Sequence, residues 1–231
     1  LLFDLDGTLI KLDMALFLPR YFQSLGKHCA SLITPELLSA IIWKSTEAMV
    51  MSSDSMLTNQ QIFEQDFLVR SGLTASEVLP LFDSFYAQVF PGLGGEEVQS
   101  SSAKEAVELA LKQGLEVVVA TNPVFPLSAI RERLNWGGLG DIPFTMITAY
   151  ENMHFCKPRR EYYQEILHIL GRKPEECWMI GNDVREDMVA EELGINTFLV
   201  EDYLIPGPAK YTPTRTGRIA DLPKFVTSVG A

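Results

Sequence analysis

At 231 residues the chain can hold one large domain, or a core domain with a smaller one inserted. It is 47% hydrophobic and 21% charged, ordinary for a globular protein, and its formal net charge is -11. That balance excludes the basic footprint on which nucleic-acid binding depends and disfavours an anionic membrane surface, while local positive charge or a metal still admits a small anionic ligand.

The first ten residues read LLFDLDGTLI. They predict a buried strand that runs out at Gly7 and carries Asp4 and Asp6 at its end. Residues 12–90 read as helical throughout. Thr34 precedes Pro35 at a first helical position, Thr58 opens a helix closed by Gly72, and Thr74 to Glu77 spells a capping box. From about residue 101 the rhythm becomes helix, glycine, strand. AKEAVELALKQ predicts a helix stopped by Gly114, LEVVVATN a buried strand, PLSAIRERLNW a helix and FTMITAY a short strand. PRREYYQEILHIL predicts a helix closed by Gly171, CWMIGND a strand, VREDMVAEEL a helix closed by Gly194, and INTFLV a strand. Residues 206–217 read as loop, and IADLPKFV as a short closing element.

Strands alternating with helices imply an α/β fold: a Rossmann-like parallel sheet covered by helices on both faces. Continuous apolar runs such as VVVA support burial of both faces. The first strand belongs to that sheet, so the core domain is expected at 1–11 and 91–231, with an inserted all-helical domain at 12–90. The aromatics of the insert, Phe17, Tyr21, Phe22, Trp43, Phe63, Phe67, Phe82 and Phe85, fall at helical spacing and are expected to be mostly core, with one or two turned toward the site.

In a parallel sheet, ligands bind outside the carboxyl ends of the strands. Asp4 and Asp6 stand two apart, so both carboxylates can face one crevice. Like charges that close need a cation between them or a shared proton. A hard divalent ion with oxygen ligands, Mg²⁺ by preference, meets that need. Gly7 allows a sharp turn and could present backbone N–H groups to an anion. Thr121-Asn122 follows LEVVVA, Lys157 follows ENMHFC, and Asn182-Asp183 follows WMIG with Asp187 four residues on. All fall at carboxyl ends of predicted strands. Together they describe a phosphoryl site: a nucleophile, a metal, a hydroxyl donor and a fixed positive charge.

These residues resemble the haloacid dehalogenase superfamily. LLFDLDGTLI looks like its first motif, VVVATN its second, Lys157 in CKP its third, and IGNDVREDMVAEELGI its fourth, in the family's order. The helical insert lies where the family places its first-type cap. The resemblance implies a phosphatase in which Asp4 attacks phosphorus, and Asp6 protonates the leaving oxygen and then activates water. It implies that Thr121 and the Asn122 backbone hold phosphoryl oxygens and that Lys157 neutralises developing charge. Mg²⁺ would be held by Asp4, the Asp6 carbonyl and the fourth motif. There the commonest form has Asp directly after Gly; here Asn182 stands in that place, followed by Asp183. Either Asn182 ligates with Asp183 and Asp187 supporting it, or Asp183 takes over. Family dehalogenases lack the second carboxylate, so Asp6 argues for phosphate chemistry on a small phosphorylated metabolite. A phosphotransferase or phosphomutase on the same core, a phospho-receiver domain and a silent binding protein are the alternatives.

Cys29, Cys156 and Cys177 are few and odd in number, which fits free thiols and a cytoplasmic setting. No stretch has the length of a membrane span. The apolar start lacks a basic flank and is interrupted by Asp4 and Asp6, so it is not expected to be a signal peptide; a few residues, the initiator Met included, are expected to precede Leu1.

Overall fold

The computed structural model describes residues 1–229. Its sheet has six strands: β1 (Leu2–Phe3), β2 (Val118–Val119), β3 (Met146–Ile147), β4 (Trp178–Gly181), β5 (Asn196–Val200) and β6 (Arg215–Gly217). Their order is β3-β2-β1-β4-β5-β6, and every pairing is parallel. The first strand in sequence is therefore central, and the chain winds outward from it in both directions. Its carboxyl end lies at the switch between the two halves, where a doubly wound sheet opens a crevice.

Between β1 and β2 run α1 (Met14–His28), α2 (Pro35–Met51), α3 (Asn59–Ser71), α4 (Ala75–Gln88) and α5 (Ser101–Lys112). After β2 come α6 (Leu127–Trp136), α7 (Arg160–Leu170) and α8 (Leu222–Val229). Alternation along the strands divides the core in two. Leu2, Val118 and Met179 pack with Tyr162, Tyr163 and Ile166 of α7, whereas Phe3, Val119 and Ile180 share a cluster with Ala106 and Val107 of α5 and Phe225 of α8. Neighbours on a strand point to opposite faces, so both faces are covered and the central strands β1, β2 and β4 carry apolar residues and glycine only.

The helix signals hold where capping chemistry is local. Thr34 Oγ1 accepts from Leu37 N–H at 3.4 Å, Thr58 Oγ1 accepts from Gln61 N–H at 3.3 Å, and Glu77 accepts the Thr74 N–H at 2.8 Å. Gly72 and Gly171 end their helices in the left-handed conformation.

Four expectations are corrected. The strands are shorter than their apolar runs. β1 ends at Phe3 because the Leu5 carbonyl then accepts three N–H groups, from Thr8, Leu9 and Ile10, which curls the chain out of the ladder. The strand expected over FTMITAY is only Met146–Ile147. VREDMVAEEL is not an α-helix but a turn followed by a 3-10 helix, Met188–Leu193. Asp183 Oδ1 accepts the N–H groups of Arg185 and Glu186 at 2.7 and 2.8 Å, and a side chain competing for local donors disfavours a regular helix start. Residues 206–217 are not all loop, since Arg215–Gly217 adds edge strand β6 beside β5. Among the described residues no helix is long and apolar enough to cross a membrane.

Candidate active site

The ends of β1, β2 and β4 meet over a cavity of about 180 Å³. Asp4, Asp6, Thr121, Asn122, Asn182, Asp183 and Asp187 all line it. Seven residues spread from 4 to 187 are thus brought to one rim of the sheet.

Lys157 lies beneath this rim and is only 1% exposed. Its Nζ donates to Asp4 Oδ1 at 3.0 Å and to Asp187 Oδ1 at 2.6 Å. Burial opposes the charge on Lys157, but the Asp187 and Asp4 carboxylates outweigh it and hold the ammonium well above ordinary lysine. The second Asp187 oxygen accepts the Asp183 N–H at 2.9 Å. Both oxygens of Asp187 are therefore taken, and the side chain is 1% exposed. Asp187 thus positions both Lys157 and the loop that follows β4. Gly181 makes this possible, because a Cβ there would overlap the Asp187 carboxylate.

Thr121 lies two residues past β2 with its carbonyl held from below, accepting from the hydroxyls of Thr148 at 2.8 Å and Tyr162 at 2.9 Å. Its own hydroxyl is left to the cavity. Asn122 ties two motifs together: its Oδ1 accepts the Lys157 N–H at 3.2 Å, and its Nδ2 donates to both Glu186 oxygens at 3.1 Å. Burial pushes Glu186 up to about 7, against the pull of Lys157.

Asn182 is 3% exposed, and its amide is committed at both ends. Nδ2 donates to the Tyr203 carbonyl at 2.7 Å, and Oδ1 accepts the Thr8 hydroxyl at 3.2 Å. A carboxylate could not make the first bond, which explains why an amide stands at this position. Gly7 packs against this amide with φ +79°, and a Cβ would come within 2.8 Å of the Tyr203 side chain. The Gly7 N–H donates to the Ile10 carbonyl at 2.8 Å. Gly7 shapes the turn but does not offer that N–H to an anion, contrary to expectation.

Asp6 has a partner that sequence reasoning missed. Arg133, on α6 and 1% exposed, donates through Nη1 to Asp6 Oδ2, and its guanidinium carbon lies 4.8 Å from the Phe125 ring centroid. Burial pushes Asp6 up to about 6, Arg133 pulls it down, and Asp4 adds to the rise. Asp6 Oδ1 and the Arg133 Nε and Nη2 groups are buried without partners among the described residues. Such groups are rare in a folded protein and commonly mark where a ligand or water completes the set. Arg133 was legible in principle: it shares the buried stripe of α6 with Ala129, Ile130 and Leu134, where an arginine needs a partner. Glu186, flanked by Asp183 and Asp187, and Thr8, one residue past Gly7, gave no comparable signal.

The donor set tests which metal could sit here. Asp183 Oδ1 is used within its own turn and Asp4 Oδ1 by Lys157, so each carboxylate keeps Oδ2 free on the cavity wall. No three His, Cys, Asp or Glu side chains form a cage among the described residues. Two carboxylates with room for water and substrate oxygens fit Mg²⁺, which keeps several waters, better than ions that demand a full protein cage.

Comparison with known proteins agrees with this architecture. No curated protein matches the sequence significantly. Among solved structures, a HAD phosphatase from Thermococcus onnurineus is 18% identical, with a TM-score of 0.59 over 97% of this chain and 96% of that one. L-2-haloacid dehalogenase from Xanthobacter autotrophicus is 13% identical, with a TM-score of 0.56 over 98% and 97%. The HAD-hydrolase YfnB from Bacillus subtilis, solved bound to magnesium, is 21% identical, with a TM-score of 0.57 over 100% and 97%. At these identities the similarity establishes the fold. The family model for haloacid dehalogenase-like hydrolases matches residues 1–194, most of the chain and every motif around the cavity, and the protein belongs to that family.

Proposed function

We propose that the protein is a Mg²⁺-dependent phosphatase that hydrolyses a small phosphorylated metabolite through an aspartyl-phosphate on Asp4. The observation that carries this reading is the buried Lys157 ammonium held between Asp4 and Asp187, beneath the cavity that Asp4 lines. A fixed cation against the Asp4 carboxylate offsets the charge that gathers when it meets a phosphoryl group. Residues 12–90 act as a helical cap over a core of 1–11 and 91–231. The three buried, free cysteines fit a cytoplasmic setting.

In the first step an Asp4 carboxylate oxygen attacks phosphorus, the ester P–O bond breaks, and Asp6 gives its proton to the departing alcohol oxygen. The Asp6 pKa of about 6 allows both protonation states near neutrality, and Oδ1, free of Arg133, is the atom that carries the proton. In the second step Asp6 removes a proton from water, the water oxygen attacks phosphorus, and the Asp4–phosphorus bond breaks to release phosphate. The Thr121 hydroxyl and Lys157 hold phosphoryl oxygens in both steps. Asp4 and Asp183 would hold Mg²⁺ with the Asp6 backbone carbonyl, while Asn182, committed to Thr8 and Tyr203, keeps the loop in place. When bound, Mg²⁺ supplies positive charge to the phosphoryl oxygens and the nucleophile.

The test is phosphate release from a panel of phosphorylated metabolites with Mg²⁺, by the native protein and Asp4→Asn. Release by the native protein, its loss with chelator and its loss in the variant are expected. Mass spectrometry of quenched native enzyme should add one phosphoryl group to the peptide containing Asp4. Equal turnover by both proteins would remove Asp4 as nucleophile.

A further inference from the structure

A second cavity adjoins the first. It has a volume of about 150 Å³ and lies between α1–α4 and the segments after β2 and β3. The two cavities share Met14, Val124 and Phe125 in their walls, so one ligand can reach from the Asp4 rim into the second space. Its lining includes Leu18, Phe22, Trp43, Phe63 and Tyr150, and no charged side chain among the described residues. The Tyr21 and Tyr86 hydroxyls bond each other at 2.8 Å, which removes part of the little hydrogen-bonding capacity the wall offers. Trp43 stays 54% exposed although its ring lies 5.5 Å from that of Phe22.

Resting on the phosphatase reading above, we infer that this cavity receives the alcohol portion of the substrate, and that this portion is a single aromatic ring or a hydrocarbon of that size. Size and chemistry both select it. An apolar cavity of about 150 Å³ takes one benzene-sized group. A polyol such as a sugar would bring several hydroxyls to a wall that satisfies few of them, and each buried unpaired hydroxyl disfavours binding. A second anionic group would meet aromatic carbon, since no charged side chain lines this cavity among the described residues and the nearest cation, Arg133, lines the adjoining cavity and is paired with Asp6. An aromatic ring instead replaces water against Phe22, Phe63 and Trp43 and loses no hydrogen bond.

The experiment compares kcat/KM of the intact protein with Mg²⁺ for phenyl, benzyl and 2-phenylethyl phosphate, glycerol 3-phosphate, glucose 6-phosphate and acetyl phosphate. The best aryl ester is expected to exceed glycerol 3-phosphate about 10- to 100-fold, the span that burial of one ring supports. Thr46→Phe, which places a ring into the cavity from α2, is expected to shrink that ratio about tenfold. If Thr46→Phe only raises the melting temperature and leaves the ratio unchanged, the cavity is a void and the inference fails. Hydrolysis of acetyl phosphate and glycerol 3-phosphate with no aryl preference overturns the inference and leaves the phosphatase reading standing. If no ester is hydrolysed, calorimetry with phosphonates decides. Benzylphosphonate bound at least tenfold tighter than methylphosphonate keeps the assignment of the cavity while the phosphatase reading falls; equal binding ends both.

Discussion

Arg133 donates to Asp6 across 127 positions of sequence, and neither side chain has another ionic partner among the described residues. Removing one member of a buried pair leaves the other uncompensated, which destabilises by about 3–5 kcal/mol. For Arg133→Met, the stranded Asp6 carboxyl escapes by protonating, so its folded pKa rises further above about 6. A group whose folded pKa is raised contributes stability below its unfolded pKa and loses it as pH rises through the folded value. The variant should therefore be nearly native in stability at pH 5 and clearly weakened at pH 8, read as urea midpoints with chelator present. Arg133→Met combined with Asp6→Asn should recover the loss at pH 8. A penalty equal at both pH values would mean the guanidinium acts by packing against Phe125 alone.

Lys157 offers a harsher case, because it stands between two carboxylates. Lys157→Met leaves Asp4 and Asp187 facing each other over an apolar side chain. Phosphate release should fall by at least about a thousandfold, in line with removal of preorganised electrostatic stabilisation. The fold should weaken by about 3 kcal/mol. Adding Asp187→Asn removes one of the two charges, so the double variant should regain stability without regaining activity. Recovery of turnover by the double variant would show that Lys157 serves folding only.

Asn182→Asp restores the residue commonest at this place in the family's motif, yet it should harm this protein. The introduced carboxylate would face the Tyr203 carbonyl where Nδ2 now donates at 2.7 Å. Two acceptors in a buried contact should destabilise by about 1–3 kcal/mol at pH 8. Protonation gives the carboxyl a donor, so the loss should shrink as pH falls. An unchanged unfolding midpoint at pH 8 would show that the loop carrying Tyr203 gives way without penalty.

Much of this site was legible because its parts sit where strand ends must fall. Apolar runs placed Asp4, Thr121 and Asn182 at one rim, and the topology then brought them together. The divisions of labour were not legible. Nothing in IGNDVRED says that Asp187 spends both oxygens on Lys157 and the Asp183 N–H, or that Asn182 faces Thr8 and Tyr203. Those depend on side-chain directions set by tertiary contacts, from 21 positions apart for Asn182 and Tyr203 to 174 for Thr8 and Asn182. The turn at Asp183 was misread as helix because the side-chain competition that breaks the pattern is invisible to periodicity. Strand β6 was missed because Arg215–Gly217 lies at the sheet edge, where the apolar run that marks a buried strand is not needed.

Helix α6, which carries Arg133, has an N-terminus with no side-chain acceptor of its own, since its N-cap is Pro126. Glu151, from the turn after β3, fills that role from outside: both its oxygens accept the Leu127 N–H, at 3.0 and 2.9 Å. Glu151→Ala should cost about 1 kcal/mol, as loss of a helix N-cap acceptor does, and lower the melting temperature by about 2–4 °C. Burial raises the Glu151 pKa and the Leu127 N–H only partly offsets it. The folded state thus favours the protonated acid, and this group's contribution to stability declines as pH rises through its folded pKa. Glu151→Gln keeps an oxygen acceptor and carries no charge. Its melting temperature relative to the native protein should therefore improve from pH 4 to pH 8, while Glu151→Ala stays below Glu151→Gln at both. A Gln variant that loses ground as pH rises would reverse the sign assigned to this carboxylate and make it an anionic cap favoured by the helix dipole.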